Sequence, residues 1–376
     1  MKFDNERASA WAERFDASRA EGTAGEERAA GVMAEEFARI GLRAETRVVF
    51  GSRFPHQVLP VLGWSGLGLG ITLAAYFSDR DAPGLLGVMA WVGAMAGWGV
   101  ATLPGLRFGH GWPPRATSRN VHAERATDGS PPARVVFRTP LDGVVLRSPE
   151  VPREASSVNI GALLGCYLLW LLAGWIYEHD VGLPVPGILW ILVLVHLFPY
   201  MKTARHPGLR DNRTGLAVLL ELARTWPRRA DARIEAHFVA VGGQGLDGAG
   251  SRALDETIRA EWPVKPTLVI DLSAPGVGKG LILAARGHAD LAGSAAADLW
   301  IPHRPARRHA WTTWTRPVTP LDDHVVWLAG DEAFAQTDRG GATAIDPEAL
   351  GRAAQLATEI ALRWARRVAT DSAESR

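Results

Sequence analysis

Residues 233–251 read RIEAHFVAVGGQGLDGAGS. A short run rich in β-formers ends in paired glycines, and a helical pattern begins at about residue 250. An apolar run this short, closed by glycine, fits a strand buried within a sheet. The same design recurs in ARVVFRT (133–139), TLVIDL (267–272) and GLILAAR (280–286). Helical periodicity fills 213–226, 250–261, 289–300 and 347–367, so strands alternate with helices. That alternation predicts an α/β sandwich of three layers with a mostly parallel central sheet. Upstream, 5–18 and 24–41 have helical spacing, Gly41 stops the second helix, and RAETRVVF (43–50) alternates as a strand. The closing ATDSAESR (369–376) has the composition of a disordered tail.

Four other stretches do not belong to that pattern. Val58–Phe77, Gly84–Leu106, Val158–Tyr177 and Leu183–Tyr200 carry no charged side chain. Each is close to the length that crosses a bilayer, about 20 residues. They pair into two hairpins through SDRDAP (78–83) and EHDVGLPVP (178–186), which predicts four transmembrane helices. The predicted organisation is a soluble domain of residues 1–56, 107–157 and 201–376, with hairpins at 57–106 and 158–200. Arg47, Arg53, Arg107, Arg115, Arg147, Arg153, Lys202, Arg205 and Arg210 flank the spans on the soluble side, whereas the hairpin loops are net acidic. Positive charge stays inside, so the expectation is a bacterial-type inner or plasma membrane with the soluble domain in the cytoplasm. The lipid bilayer is thus an expected partner. His196 is the one readily titratable side chain in a span besides the thiol and tyrosines, and the spans' lack of buried charge argues against an ion channel or pump.

The net charge of +1 over 376 residues gives no global field for nucleic acid. A single cysteine, Cys166, excludes a disulfide framework and a thiolate zinc site. APGVGKG (274–280) lacks the spacing of a phosphate loop. RPARRHAWTTWTR (304–316) reads as a surface loop over a groove.

In parallel sheets, chemistry gathers where strands end. Those ends offer Asp142 after ARVVFRTP, Asp211 in GLRDNRTG, Gln244 in VGGQGLDGAGS, Asp271 in VIDLSAPG and His324 in PLDDHVVW. Carboxylates and an imidazole drawn from separate strands suit a divalent metal such as zinc.

The order and wording of these segments resemble the di-zinc aminopeptidase family (peptidase family M twenty-eight, with its glutamate-carboxypeptidase-like members). RAEGTAGEERAAGVMAEEFARIGLRAE (19–45) resembles its N-terminal helix and glycine-rich turn. SRNVHAE (118–124), ARVVFRTPLDG (133–143), GLRDNRTGLAVLLELAR (208–224), VIDLSAPG (269–276), PLDDHVVWLAG (320–330) and TDRGGATAIDPEALGRAAQLATEIA (337–361) follow in family order. The resemblance implies a zinc-exopeptidase-like fold in which Asp211 bridges two zinc ions, Asp271 completes one site and His324 the other. Two departures stand against catalysis. Pro140-Leu141-Asp142 replaces a His-x-Asp pair, and Gly243-Gln244 replaces a Glu-Glu pair, with no glutamate nearby in any register of that loop. Each zinc thereby loses one of three protein ligands, and glutamine cannot act as the general base.

The expectation is therefore a membrane-anchored pseudopeptidase that binds a peptide, a small amino ligand or a membrane partner. The alternative is an active metal-dependent aminopeptidase in which His110, His122 or His237 substitutes for the missing ligands.

Overall fold

A computed structural model describes residues 3–15, 19, 22–52, 59–78, 115–125, 131–142, 212–226, 234–244, 246, 248–262, 264–278, 280–285, 288–305, 325–330 and 345–374, with 89, 91–93, 96, 112–113, 191 and 194 as isolated positions. The chain divides into two compact units. One comprises Met1–Gly51, Arg115–Val145 and His206–Arg376, the other Ser52–Pro114 and Leu146–Arg205.

The first unit is an α/β structure built on one sheet. Its strands are β1 (Arg43–Ser52), β2 (Arg115–Arg125), β3 (Ala133–Pro140), β4 (Ile234–Val241), β5 (Thr267–Ser273), β6 (Leu281–Ala285), β7 (His303–Pro305) and β8 (Val325–Gly330). They lie in the order β1-β2-β4-β3-β5-β8-β6-β7. The central four, β4, β3, β5 and β8, run parallel, whereas β2 and β6 join them antiparallel. Helices α1 (Asn5–Arg14), α2 (Ala24–Arg39), α4 (Arg213–Thr225), α5 (Ala249–Ala260), α6 (Ala289–Asp298) and α7 (Pro347–Glu374) complete it, α3 (Leu59–Ser78) belonging to the second unit.

Side chains alternate across each strand, so the register assigns every residue to a face. One face carries Val135, Phe137, Ala236, Phe238, Leu268, Ile270, Val326 and Leu328, in one core with apolar residues of α1, α2, α4, α6 and α7. Within it Phe137 stacks on Phe238 at 5.5 Å and meets Trp226 edge-on at 5.0 Å. The other face buries Val136, Val239, Val241, Val269 and Val325 against Leu254 and Ile258 of α5. All the polar chemistry below lies on that second, α5-covered face or at the strand exits beside it.

Helix starts follow from capping. The Asp4 carboxylate accepts from the Arg7 N–H at the head of α1. At α2, Thr23 accepts from the Glu26 N–H, each satisfying a donor the helix itself leaves unpaired. Three sequence expectations shift. α1 ends at Arg14, α7 continues through Glu374 so that most of the supposed tail is helical, and VVWLAG forms β8.

In the second unit, α3 (Leu59–Ser78) is 20 residues long and carries no charge. Its side chains are described only from 62 to 73, where Trp64, Leu67 and Ile71 are buried and Leu62, Leu69 and Leu73 exposed. Among the described residues, no helix is long and apolar enough to cross a membrane. The run Val158–Tyr177 lies outside the described residues, as do Gly84–Leu106 and Leu183–Tyr200 apart from isolated positions.

Candidate functional site

The carboxyl ends of β3, β4 and β5 are tied together by short polar bonds. Asn212, at the head of α4, spans two of them. Its Nδ2 donates to Thr139 Oγ1 at 2.6 Å and to the Pro140 carbonyl at 2.8 Å, while its Oδ1 accepts from the Ala274 N–H. Ala274 has φ 45°, a left-handed conformation that costs a residue with a Cβ about 1 kcal/mol or more. The bond from Asn212 helps hold that turn where β5 exits. Gly215 makes the approach feasible, since a Cβ there would fall 2.4 Å from both Asn212 Oδ1 and Thr139 Oγ1.

Asp142 follows β3 and is completely buried. Its Oδ2 accepts from the Gln244 N–H at 2.8 Å, which pins the loop after β4 to the end of β3. The Gln244 side chain turns away into α5, with Nε2 donating to Ser251 Oγ at 2.6 Å. Both residues thus bind the loop to its neighbours.

Asp271 lies inside β5, not beyond its end, and faces the α5 side. Arg138, its lateral partner on β3, donates to Asp271 Oδ2 from Nε at 2.9 Å and from Nη2 at 2.7 Å. The Arg138 and Asp271 side chains are 12% and 13% exposed, and Arg138 Nη1 lies 4.0 Å from the buried Asp255. Ser273 Oγ reaches Asp271 Oδ1 at 3.4 Å and accepts from Trp327 Nε1 at 2.9 Å. A guanidinium therefore fills the cationic place beside the one described carboxylate of the implied metal set. The guanidinium takes the same carboxylate oxygen twice, and among the described residues no group of three ligand atoms gathers at Asp271. Pro140 has no donor to add, and the Gln244 amide points elsewhere. Among the described residues, the donors do not fit zinc at Asp271. Asp211, His324 and His110 lie outside the described residues.

A glutamate does reach the loop, from far away in sequence. Glu26 of α2 is buried and accepts from Gly243 N–H at 3.3 Å, from Gly22 N–H at 2.6 Å and from Ser118 Oγ. Its position in Thr23-x-x-Glu26 is the sequence signature of a capping box, a readable signal. The carboxylate reaches past the cap to hold the Gly242-Gly243 turn instead.

His122 and His237 belong to a different cluster. His122 shares its row of the sheet with Asp271 but sits three strands away, roughly 14 Å at ordinary strand spacing. His237 lies one row nearer the amino ends of β3 and β4. Neither can replace a ligand at Asp271. Instead His122 Nε2 and His237 Nδ1 bond to each other at 2.8 Å, and His237 Nε2 meets Glu235 Oε1 at 2.7 Å. Arg134 Nε donates to Glu235 Oε1 at 2.9 Å and Lys265 Nζ to Oε2 at 2.6 Å. Trp262, just past α5, stacks on His237 at 4.0 Å, and the Arg134 guanidinium lies 4.8 Å from its ring centre.

Burial, and then the neighbouring His237, push the His122 imidazole down from 6.5 to about 3. Burial alone would raise the Glu235 carboxyl. Hydrogen bonds from His237, Lys265 and Arg134 outweigh it and hold the group well below the usual carboxylate range. Glu124, Glu235 and His237 offer ligand atoms that all lie within 4.8 Å of one another.

No family model matches the sequence, and no curated protein matches it. Solved structures do. An aminopeptidase from an Aneurinibacillus species superposes with a TM-score of 0.52 at 13% identity, covering 96% of this chain and 93% of its own. A Porphyromonas gingivalis glutaminyl cyclase gives 0.51 at 11%, covering 95% and 97%. A Zn-dependent exopeptidase from Parabacteroides distasonis gives 0.50 at 13%, covering 96% and 98%. At such identities the likeness is one of fold, which is zinc-exopeptidase-like.

Proposed function

We propose that this chain is a membrane-anchored pseudopeptidase, a zinc-exopeptidase fold turned to binding a peptide, a small amino ligand or a membrane partner. One observation carries the reading. Arg138 occupies Asp271, the described member of the implied metal set, with two charge-assisted hydrogen bonds. The change at 140 removes a ligand, and glutamine at 244 removes the base, whose help is typically worth about 10²- to 10⁴-fold in rate. Full burial of Asp142 and its bond to the Gln244 N–H support a structural role for the carboxylate that the resemblance places near catalysis.

The test is turnover. Full-length protein in detergent, given aminoacyl-aminocoumarin substrates with added Zn²⁺, Mn²⁺ or Co²⁺, should release no fluorophore above the rate without protein. Chelator-sensitive release that Asp271→Asn abolishes would establish the active-aminopeptidase alternative and overturn the proposal.

Anchoring is read from the four uncharged apolar runs of the sequence, and the cytoplasmic side from the flanking arginines. The protein should stay with membranes through alkaline carbonate extraction. A reporter fused after residue 376 should be active only as a cytoplasmic enzyme. Release by carbonate, or an externally active reporter, would remove the corresponding part of the reading.

A further inference from the structure

We propose that His237, Glu235 and Glu124 form a binding site for a divalent transition-metal ion such as Zn²⁺, at the β2–β4 side of the sheet and separate from the strand exits. Glu124 and His237 are lateral partners across the antiparallel β2–β4 pair. Glu235 precedes His237 by two residues, so all three side chains leave the same face. Their ligand atoms lie within 4.8 Å of one another. Around one zinc ion at about 2.0–2.2 Å, such atoms stand roughly 3–3.5 Å apart. The remaining closure falls to Glu124, which is exposed and able to swing inward. One imidazole and two carboxylates are a mixed donor set that suits zinc and similar ions and leaves a position for water.

The surroundings are built to hold those donors. Arg134, 1% exposed, fixes Glu235. Trp262 lies flat on His237 and limits its rotation. His122 holds the second nitrogen of His237, the role an outer partner takes at histidine metal sites. With both imidazoles neutral and no metal, the pairing assigns His237 Nε2–H as donor to Glu235 and its Nδ1 as acceptor from His122 Nε2–H. Coordination at Nε2 requires that nitrogen to be bare. His237 then carries its proton on Nδ1 and donates to His122 Nε2, while His122 carries its own on Nδ1. Both imidazoles change tautomer, and the number of protons stays the same.

Lys265 is the built-in competitor. Its ammonium sits 2.6 Å from Glu235 Oε2 and supplies positive charge that a metal would otherwise bring. Its side chain is 17% exposed and ends a flexible stem, so an arriving ion can displace it toward water. This competition separates a metal site from a purely structural ion-pair network, because the two respond in opposite ways to loss of the lysine.

The experiment uses full-length protein in detergent, stripped with chelator and titrated with ZnCl₂ alone. Equilibrium dialysis gives stoichiometry and affinity, and Co²⁺ substitution gives an absorption band sensitive to the ligand set. The expected result is one ion per chain, bound at least tenfold more weakly in Glu124→Gln and His237→Gln and several-fold more tightly in Lys265→Met. His122→Gln, at a positioning residue, should keep the stoichiometry and shift the Co²⁺ band. Glu124 is exposed, so its variant tests the site even if His237→Gln folds poorly. Absence of a retained ion overturns the proposal. So does an affinity unchanged by Glu124→Gln, or one unchanged by Lys265→Met. Asp271→Asn keeps this test apart from the strand-exit reading. An ion lost in that variant but indifferent to Glu124→Gln would mean binding at Asp271 and would overturn both.

Discussion

Two polar clusters share one face of one sheet, and they use the same residue types to opposite ends. At the strand exits, Asp142, Asp271 and Gln244 are bound to fixed neighbours, a backbone N–H, a guanidinium and a serine hydroxyl. At the β2–β4 side, Glu235 gathers three donors from three strands or loops, and exposed Glu124 stands beside them. At the position named by the resemblance, no group of three ligand atoms gathers among the described residues. The cluster whose ligand atoms converge is one that neither strand order nor resemblance marks.

The largest effect is expected at Arg138. If its guanidinium is the fixed counter-ion of Asp271, Arg138→Ala leaves Asp271 and Asp255 in a site almost closed to water. Loss of one partner of a buried pair costs about 3–5 kcal/mol. Denaturant unfolding should show a loss of that size, most of it recovered in the double variant Arg138→Met with Asp271→Leu. A single variant as stable as the parent would mean that Asp271 finds its cation elsewhere.

A smaller effect is expected at Gly250 in the first turn of α5. A Cβ there would lie 2.0 Å from the Gly242 carbonyl oxygen and 2.5 Å from Asn120 Oδ1. Because backbone cannot swing aside, Gly250→Ala should push α5 off the loop and cost roughly 1–3 kcal/mol. Both clusters lie under α5, so the same substitution should also weaken metal binding at Glu124, Glu235 and His237.

The third effect is one of pH and falls on the β2–β4 cluster alone. His122 faces His237, Glu45, Arg47 and Glu235, and its folded pKa is about 3 against an ordinary 6.5. Below 6.5 the unfolded chain takes up a proton that the folded chain refuses, so stability falls as pH drops from 6.5 toward 3. At pH 5 in chelator-treated protein, the loss should be roughly 2 kcal/mol. Thermal melts of the parent and of His122→Gln should converge as pH is lowered through that window. Parallel curves would place the proton on His122 in the folded state.

The fold was legible because the sheet is written in short apolar runs that alternate with helical periodicity. Asp142, Asp271 and Gln244 could be found by their place after or within such runs. Their roles could not, since Arg138 reads as one more residue in a strand until β5 is set beside β3. The Glu26 bond to the Gly243 turn spans 217 residues, and only its capping signature was local. The His122–His237 pair was legible as two histidines in strands. The antiparallel entry of β2 beside β4 determines that they meet each other and not Asp271.

The smallest effect on stability is the most discriminating. Glu235 has two other donors, Arg134 and His237, so Lys265→Met removes one hydrogen bond from a carboxylate that remains satisfied. Lys265 itself is partly exposed, and such an ion pair contributes on the order of 1 kcal/mol or less once water and salt screen it. A melt should therefore move little, while Zn²⁺ affinity should rise several-fold because the competing ammonium is gone. Lysine cannot be both irrelevant to folding and inhibitory to the ion unless the carboxylate it covers is a ligand. A large fall in stability with no gain in affinity would instead make the cluster an ion-pair buttress for the β3–β4 ladder. The two ends of the sheet face would then differ in charge pattern and not in purpose.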